Sequence, residues 1–484
     1  MDLIAELPIT TAGPLPDVSG IAYDSRQVEA GDLFVALVGE RCDGRAFAPQ
    51  AVACGAVAVL GQGGPPSGLG APWLQAENPR ALLGLLAARL YGHPDQEMAM
   101  LGVTGTNGKS TVVELLRSIL ETAGRPSASI GTLGYRFGEL IFSAERTTPE
   151  ASDLFRMLRA MRDAGAEAAA MEVSSHALAL ARVAGVTFDL AIFTNLSRDH
   201  FDFHTDFEDY FRAKRSLFGQ LKTGAKTVVN IDDAYGRRLV DELPGVLTFG
   251  SDGDVAPLEV ELDEAGLRGA LSLPSGILEF QTSLLGRFNL ENILAAVAGA
   301  EALGVQRSAM RRALAAAQPL PGRLEPVEAG QPFPVLIDYA HTDAALAAAL
   351  RSVREFTRRR VLVVFGCGGD RDPGKRVLMG RAAGRLADAA IATSDNPRSE
   401  DPQQILVSVA EGLRQSGAED FEVVVDRREA LRRAVARADE AWVVLVAGKG
   451  HEEVQIIGDR QVPFSDRVEL TQALEERFGA GTAG

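Results

Sequence analysis

Between an apolar run beginning at Met98 and an amphipathic run ending at Thr122 lies Gly102-Val-Thr-Gly-Thr-Asn-Gly-Lys-Ser-Thr111. In a strand-loop-helix setting, glycines let backbone N–H groups close on phosphate oxygens. A lysine then supplies charge to the terminal phosphates, and a hydroxyl is offered to Mg²⁺. Gly105, Thr106, Asn107, Gly108, Lys109, Ser110 and Thr111 are therefore the residues expected at ATP. Val103 stands where the first glycine of the usual Walker pattern would fall, with Gly102 and Gly105 to either side, so this is a variant loop.

Two further loops carry chemistry. Glu172-Val-Ser-Ser-His-Ala-Leu178 and Thr194-Asn-Leu-Ser-Arg-Asp-His-Phe-Asp-Phe-His204 each follow a strand-like run. Ligands of open parallel sheets bind at the carboxyl ends of strands, which places Glu172 and His200 near the phosphate loop. With Ser110 they make a carboxylate, imidazole and hydroxyl set able to hold Mg²⁺. Read alone, Glu172 is also compatible with a solvated loop acid, and His176, His200 and His204 with hydrogen-bonded structural residues.

Such loops need strands behind them. Met98–Thr104, Ala168–Val173, Phe188–Phe193 and Lys226–Ile231 read as strands, with Ser110–Thr122 as a helix. After a break at Pro319–Arg323 a second alternating series follows: Val335–Asp338, Arg360–Gly366, Ala389–Thr393, Glu422–Val425 and Ala441–Val446. Alternation of this kind predicts βαβ units and mainly parallel sheets. Ahead of both, apolar runs at Asp32–Val38 and Ala51–Leu60 and a Gly/Pro-rich loop at Gly61–Pro72 predict a small α/β module. The expected fold is three α/β domains, at 1–97, 98–321 and 322–484. The central one is a P-loop-type parallel-sheet ATPase domain and the last is Rossmann-like.

The 484 residues exceed one core and fit about three domains. A net charge of −16 excludes a broad electrostatic grip on nucleic acid or an anionic membrane. Cys42, Cys54 and Cys367 lack zinc-site spacing and cannot complete a disulfide framework, which fits a reducing compartment. The segment Met1–Gly13, with Asp2 and Glu6, does not resemble a secretory signal, and no apolar run reaches the roughly 20 residues of a membrane span. The expectation is a cytoplasmic protein that acts on small molecules as a monomer, without nucleic acid or membrane insertion.

In chain order, the phosphate loop, Thr147-Thr-Pro149, the Glu172 loop, Thr194–His200, Gly286-Arg-Phe-Asn-Leu-Glu-Asn292, Pro321-Gly-Arg323 and Asp338-Tyr-Ala-His341 resemble the motifs of the Mur ligase family. The resemblance covers nearly the whole chain. It implies an ATP-dependent ligase of peptidoglycan precursor synthesis, in which a substrate carboxylate is phosphorylated and an amine then displaces the phosphate. By position it implies that Lys109 holds the terminal phosphates and that Ser110, Glu172 and His200 hold or support Mg²⁺. Asn289, Asn292, Arg323, Asp338 and His341 are implied as nucleotide contacts. Lys214, in Tyr210-Phe-Arg-Ala-Lys-Arg-Ser216, matches a lysine carbamylated by carbon dioxide. A carboxylate-like anion there makes sense beside a second Mg²⁺; without the resemblance Lys214 reads as a solvated helix-face lysine. Lys109, Lys214 and His200 are the implied catalytic residues.

The resemblance also bears on substrates. Tyr23-Asp-Ser-Arg26 and Gly31–Ala36 resemble a uridine-nucleotide domain, so Ser25, Thr147, Thr148, Ser174 and Arg182 are implied to hold UDP-N-acetylmuramoyl-L-alanyl-D-glutamate; alone, Tyr-Asp-Ser-Arg is equally a capped turn. Asp395-Asn-Pro-Arg398 resembles the tetrapeptide of ligases that add meso-diaminopimelate. Charge chemistry agrees, since Arg398 and Arg371 suit the far carboxylate while Asp395 and Glu452 suit ammonium. Asn396, Pro397 and Gly448 complete that expected pocket. Lysine has no far carboxylate and would leave Arg398 without an anion. Arg146, Leu180 and Thr342-Asp-Ala344 depart from the family pattern, although Thr342 can still cap the next helix. The alternatives are a lysine-adding ligase, a ligase for D-alanyl-D-alanine, folylpolyglutamate synthetase, or a nucleotide-gated switch that hydrolyses ATP.

Overall fold

The computed structural model describes residues 3–11, 13–39, 42–201 and 203–479. Asp2, counted above in the acidic N-terminal segment, and Asp202, in the second histidine loop, lie outside them. The chain resolves into two compact units. The first is Met1–Leu258 with Ala270–Glu279 and Glu291–Leu314; the second is Glu259–Gly269, Phe280–Leu290 and Ala315–Gly484.

The first unit holds two sheets. The smaller has the order Thr10–Thr11, Trp73–Gln75, Ala58–Gly61, Asp32–Val35, Gly20–Ala22, parallel throughout except at Thr10–Thr11. The apolar run Ala51–Leu60, read as one stretch from sequence, is divided here. The helix Ala48–Ala53 ends before Gly55, whose φ of 115° a β-carbon disfavours, and the strand begins at Ala58.

The larger sheet has eight strands in the order Leu247–Phe249, Leu221–Asn230, Phe188–Phe193, Ala99–Thr104, Ala168–Glu172, Ser127–Gly131, Gly134–Phe137, Leu140–Phe142. Its first six strands are parallel and its last two turn back antiparallel. Ala168–Glu172 and Ser127–Gly131 are buried at every position, as expected where both faces of a parallel sheet are covered. The helix Lys109–Thr122 packs by Val112, Leu115, Leu116 and Ile119, spaced three and four apart along one stripe.

The second unit is built on six strands in the order Glu325–Pro326, Val335–Asp338, Trp442–Ala447, Arg360–Cys367, Ala389–Ser394, Phe421–Val424, parallel except for the first. Successive residues feed opposite cores. Leu336, Val363 and Leu445 pack on one face, while Ile337, Val364 and Val444 pack on the other. A short hairpin, Val454–Ile457 with Arg460–Pro463, follows the last parallel strand. Thr342 caps the helix Asp343–Phe356 by accepting the Ala345 N–H at 3.2 Å, so the missing proline is made good. Three further strands, Ala256–Asp263, Gly266–Leu273 and Gly276–Thr282, form a small sheet whose residues are shared between the two units. Among the described residues no helix is long and apolar enough to cross a membrane.

Candidate active site

In the first unit the strand Ala99–Thr104 delivers the chain into the loop 105–108, and Gly108 at φ 87° opens the helix that begins at Lys109. Both loop glycines are sterically required. A β-carbon on Gly105 would lie 1.9 Å from Thr194 Oγ1, and one on Gly108 would lie 2.2 Å from Asn292 Oδ1. Lys109 Nζ folds back to the carbonyls of Gly105 at 3.0 Å and Thr106 at 2.8 Å. The second loop braces the first: Thr194 Oγ1 donates to Asn107 O at 2.7 Å, Asn195 Oδ1 accepts the Asn107 N–H at 2.9 Å, and Thr106 Oγ1 and Tyr210 Oη lie 3.1 Å apart. Burial pushes the Tyr210 phenol up to about 12, so it stays protonated as that partner.

Glu172 ends its strand 2% exposed. Its Oε1 accepts from Ser110 Oγ and from the Thr132 N–H, both at 2.8 Å, while Thr148 Oγ1 donates to its main-chain carbonyl at 2.8 Å. Hydroxyls and an amide, and no cationic side chain, thus surround this carboxylate among the described residues. Oxygen donors of this kind suit a hard cation such as Mg²⁺. No set of three His, Cys, Asp or Glu is gathered for a metal among the described residues.

The structure brings Ser110 and Glu172 together and sets Lys214 against the same phosphate loop, on the Gly105 carbonyl. His200, at φ 56°, is half exposed, with Nε2 3.5 Å from Asp199 and its ring 4.8 Å from that of His176. Buried His204 bonds Ser175 Oγ at 3.0 Å, and burial holds its imidazole below the usual range, so it has the structural role left open above. Lys214 corrects the reading of a solvated lysine. It is 1% exposed, its Nζ donates to Gly105 O at 2.7 Å, and it lies 4.4 Å from the Tyr210 ring centre. Burial, reinforced by the charge of Lys109, holds its amine well below the usual lysine range.

Of the residues expected at the UDP substrate, Thr148 Oγ1 donates to Ser174 Oγ at 3.3 Å and Thr147 Oγ1 lies 3.0 Å from Thr132 Oγ1. Arg182 makes a close ion contact with buried Glu150 at 2.9 Å, and Arg80 approaches the same carboxylate at 3.3 Å. Burial, with the charges of Arg146 and Arg80, pulls the Arg182 guanidinium below its usual value despite Glu150. Ser25 is buried and donates to Gln50 at 3.1 Å.

In the second unit the expected residues gather at the carboxyl ends of the parallel strands. Both oxygens of Asp338 are occupied by backbone: Leu324 N–H at 3.0 Å and Ala340 N–H at 2.9 Å. Asp338 therefore holds the turn that presents exposed Arg323, and His341 Nδ1 sits 2.9 Å from Tyr339 O. Asn289 is buried, with Nδ2 donating to Leu285 O at 2.8 Å. Arg398 Nη1 donates to Gly369 O at 2.8 Å, whereas Arg371 is exposed. Gly368 and Gly369, not singled out above, make this possible. A β-carbon on Gly369 would lie 1.9 Å from Pro397 O, and one on Gly368 would lie 2.9 Å from Arg398 Nη1. A Gly-Gly pair straight after a strand was the available signal. Glu452 accepts from Asn396 Nδ2 at 2.8 Å, and Gly448, at φ 117°, opens its loop.

Asp395, expected as an ammonium receptor, is 7% exposed, and burial raises its carboxyl against the opposing charges of Arg427 and Lys449. Its Oδ1 is buried without a hydrogen-bond partner among the described residues. Arg427, which sequence reading missed, is fully buried in a two-pronged pair with Asp466, both bonds 2.7 Å, and also donates to Ala447 O at 3.1 Å. An open groove of 820 Å³ lined by Asp263, Glu264, Phe356 and Arg358–Arg360 lies at the amino ends of the strands Arg360–Cys367 and Trp442–Ala447. It is at the wrong end of the sheet to be this site.

Three family models match the chain: "Mur ligase family, catalytic domain" at residues 17–91, "Mur ligase middle domain" at 103–300 and "Mur ligase, glutamate ligase domain" at 322–450. The chain belongs to the Mur ligase family. Similar Mur ligases include two named UDP-N-acetylmuramoyl-L-alanyl-D-glutamate--2,6-diaminopimelate ligase. The one from Solibacter usitatus is 43% identical over 95% of this chain and 94% of its own length. The one from Geobacter metallireducens is 43% identical over 96% of each. A solved structure of an enzyme with that name is 31% identical, covers 99% of both chains and superposes with a TM-score of 0.73. The Thermotoga maritima MurF ligase, solved with ADP, is 20% identical with a TM-score of 0.65 over 95% of this chain and 99% of its own, a likeness of fold.

Proposed function

We propose that this Mur ligase uses ATP to join meso-diaminopimelate to the D-glutamate of UDP-N-acetylmuramoyl-L-alanyl-D-glutamate, in the cytoplasm, during peptidoglycan precursor synthesis. The observation that carries the choice of amino acid is Arg398. Its guanidinium is fixed by the Gly369 carbonyl, in a loop at the carboxyl end of a parallel strand, where a planar fork can take a carboxylate in paired hydrogen bonds. The relatives at 43% identity, named for 2,6-diaminopimelate, support the same choice.

The D-glutamate carboxylate attacks the terminal phosphorus of ATP, forming a C–O–P bond as ADP leaves. The amine of the amino acid then attacks the acyl carbon, loses a proton, and inorganic phosphate departs from the tetrahedral intermediate. Lys109 and the amides of the loop 105–111 hold the terminal phosphates and offset charge on the transferring group. Asn292, whose Oδ1 lies where a β-carbon on Gly108 would be, is a nucleotide contact together with Asn289, Arg323 and His341. Ser110 and Glu172 would hold Mg²⁺, supported by His200 and by Lys214 as its carbamate; the ion supplies positive charge to the phosphate oxygens. Burial disfavours the charged form of the Lys214 amine, and the uncharged form is the one that adds to carbon dioxide with loss of a proton. Ser25, Thr147, Thr148, Ser174 and Arg182 bind the UDP substrate, Arg182 beside Glu150. The roles divide among modules at 1–97, 98–321 and 322–484, and the enzyme works as a monomer.

The test is ATP-dependent phosphate release with the UDP-dipeptide, comparing meso-diaminopimelate with L-lysine and weighing the product. Product with diaminopimelate alone is expected. Product with lysine alone would overturn the assigned amino acid, and phosphate release without either amine would favour a nucleotide switch.

A further inference from the structure

Lys449 exposes none of its side chain to solvent, although it stands beside the ligand loop that carries Glu452. An ammonium out of water is costly unless its three N–H bonds are met. Here all three are. Nζ donates to Glu452 Oε2 at 2.9 Å, to Asn396 Oδ1 at 3.2 Å and to Val454 O at 2.7 Å, with Asp395 Oδ1 3.9 Å away.

The acceptors belong to three segments: the loop after Trp442–Ala447, the Asp395–Arg398 loop, and the hairpin that begins at Val454. Asn396 closes the arrangement, donating Nδ2 to the same Glu452 Oε2 at 2.8 Å and accepting the Ile456 N–H at 3.0 Å. The Arg398 N–H bonds Ile456 O at 3.0 Å, and its carbonyl accepts the Gly458 N–H at 2.7 Å. Glu452 thus spends Oε2 on protein, while Oε1 keeps no hydrogen-bond partner among the described residues. Burial works to raise the Glu452 carboxyl, but the bonds from Lys449 and Asn396 outweigh it and hold it below the usual range. A carboxylate fixed and ionised in this way has one open acceptor.

We propose that Lys449 is a positioning residue for the incoming amino acid, binding Glu452, Asn396 and the hairpin into one body so that Glu452 Oε1 is held ready for the substrate ammonium. This rests on the reading of the Asp395–Glu452 region as the amino-acid pocket. The residue acts through Glu452 and touches neither ATP nor the UDP-dipeptide.

The experiment is steady-state kinetics of the full-length enzyme for Lys449→Met, Glu452→Gln and the double variant, with each substrate varied in turn. Lys449→Met is expected to raise KM for the amino acid about 10- to 100-fold, the range of one charge-assisted hydrogen bond. The kcat and the KM values for ATP and the UDP-dipeptide are expected to stay within about threefold, and the double variant to bind the amino acid no worse than Glu452→Gln alone. An unchanged amino-acid KM, a loss shared by all three substrates, or additive losses in the double variant would each overturn the proposal. If the wild type ligates another amino acid, the assigned substrate fails, and Lys449 is judged on the KM of that amino acid. If Lys449→Met does not fold, hydrogen exchange of the free wild type decides: slow exchange at the Ile456 and Gly458 amides supports a pre-formed body, and fast exchange overturns it.

Discussion

Lys109 and Lys214 donate to the same atom, the carbonyl oxygen of Gly105, at 3.0 Å and 2.7 Å. Two lysines this close disfavour each other's charge, and the buried one yields. Lys214 is the 1% exposed partner whose amine is held well below the usual range, first by burial and then by Lys109. One carbonyl of the phosphate loop thereby receives two lysines, of which the buried one has its charge disfavoured.

The pH dependence follows in sign. The folded pKa of Lys214 is depressed below the value of 10.5 that an exposed lysine has, so between the two the unfolded chain binds the extra proton. Stability therefore rises with pH across that window and falls as pH drops through it. In CO₂-free buffer the wild type is expected to gain on Lys214→Met as pH rises toward about 10 in chemical denaturation; parallel curves would refute it.

Catalysis is expected to depend on carbon dioxide. Removing it should slow turnover and bicarbonate should restore it, with a carbamate signal from ¹³C-bicarbonate that Lys214→Met lacks. Lys214→Met should lose ~100-fold or more in kcat, the scale of a lost electrostatic contact to the transition state. Full activity of this variant would rule out the carbamate.

Gly108→Ala tests the phosphate loop. The added carbon meets Asn292 Oδ1 at 2.2 Å at a φ of 87°, so the Asn292 side chain or the loop must shift and the backbone is strained in either case. A strained left-handed residue alone costs about 1–3 kcal/mol. The expected result is weakened ATP binding by calorimetry in a protein that still folds; wild-type affinity would show that the loop adapts.

Arg398→Ala should cut kcat/KM for meso-diaminopimelate by about 10- to 100-fold, from the loss of about 1.5–3 kcal/mol for a charge-assisted contact. The low rate with L-lysine should stay unchanged or rise. Equal losses with both amino acids would assign Arg398 to the loop's shape instead.

Arg427 and Asp466 are both 0% exposed in their side chains. Replacing either alone, as Arg427→Met or Asp466→Leu, strands a buried charge and should cost about 3–5 kcal/mol. The double replacement should recover much of that in denaturant titration. Additive losses would show that each residue acts through other partners, such as the Ala447 carbonyl.

The sequence by itself determined the local grammar. The strand runs Val335–Asp338 and Phe188–Phe193 recur at the same bounds because buried parallel strands are mostly apolar, with Asp338 and Asp189 as the exceptions. The phosphate loop was legible because its glycines answer a local need, a turn that opens a helix. The families of loops at strand ends followed from alternation alone. What the tertiary structure decided was where each charge resides. Read without the resemblance, Lys214 passes for a solvated lysine like its exposed neighbour Arg215, because the carbonyl that receives its amine belongs to Gly105, more than a hundred residues away along the chain. Asp395 reads from sequence as a loop carboxylate, and the fold encloses it near the charges of Arg427 and Lys449 from two other segments. Whether an ionisable group meets water, a counter-charge or a ligand depends on residues brought together over long separations, and this decides its protonation and its use.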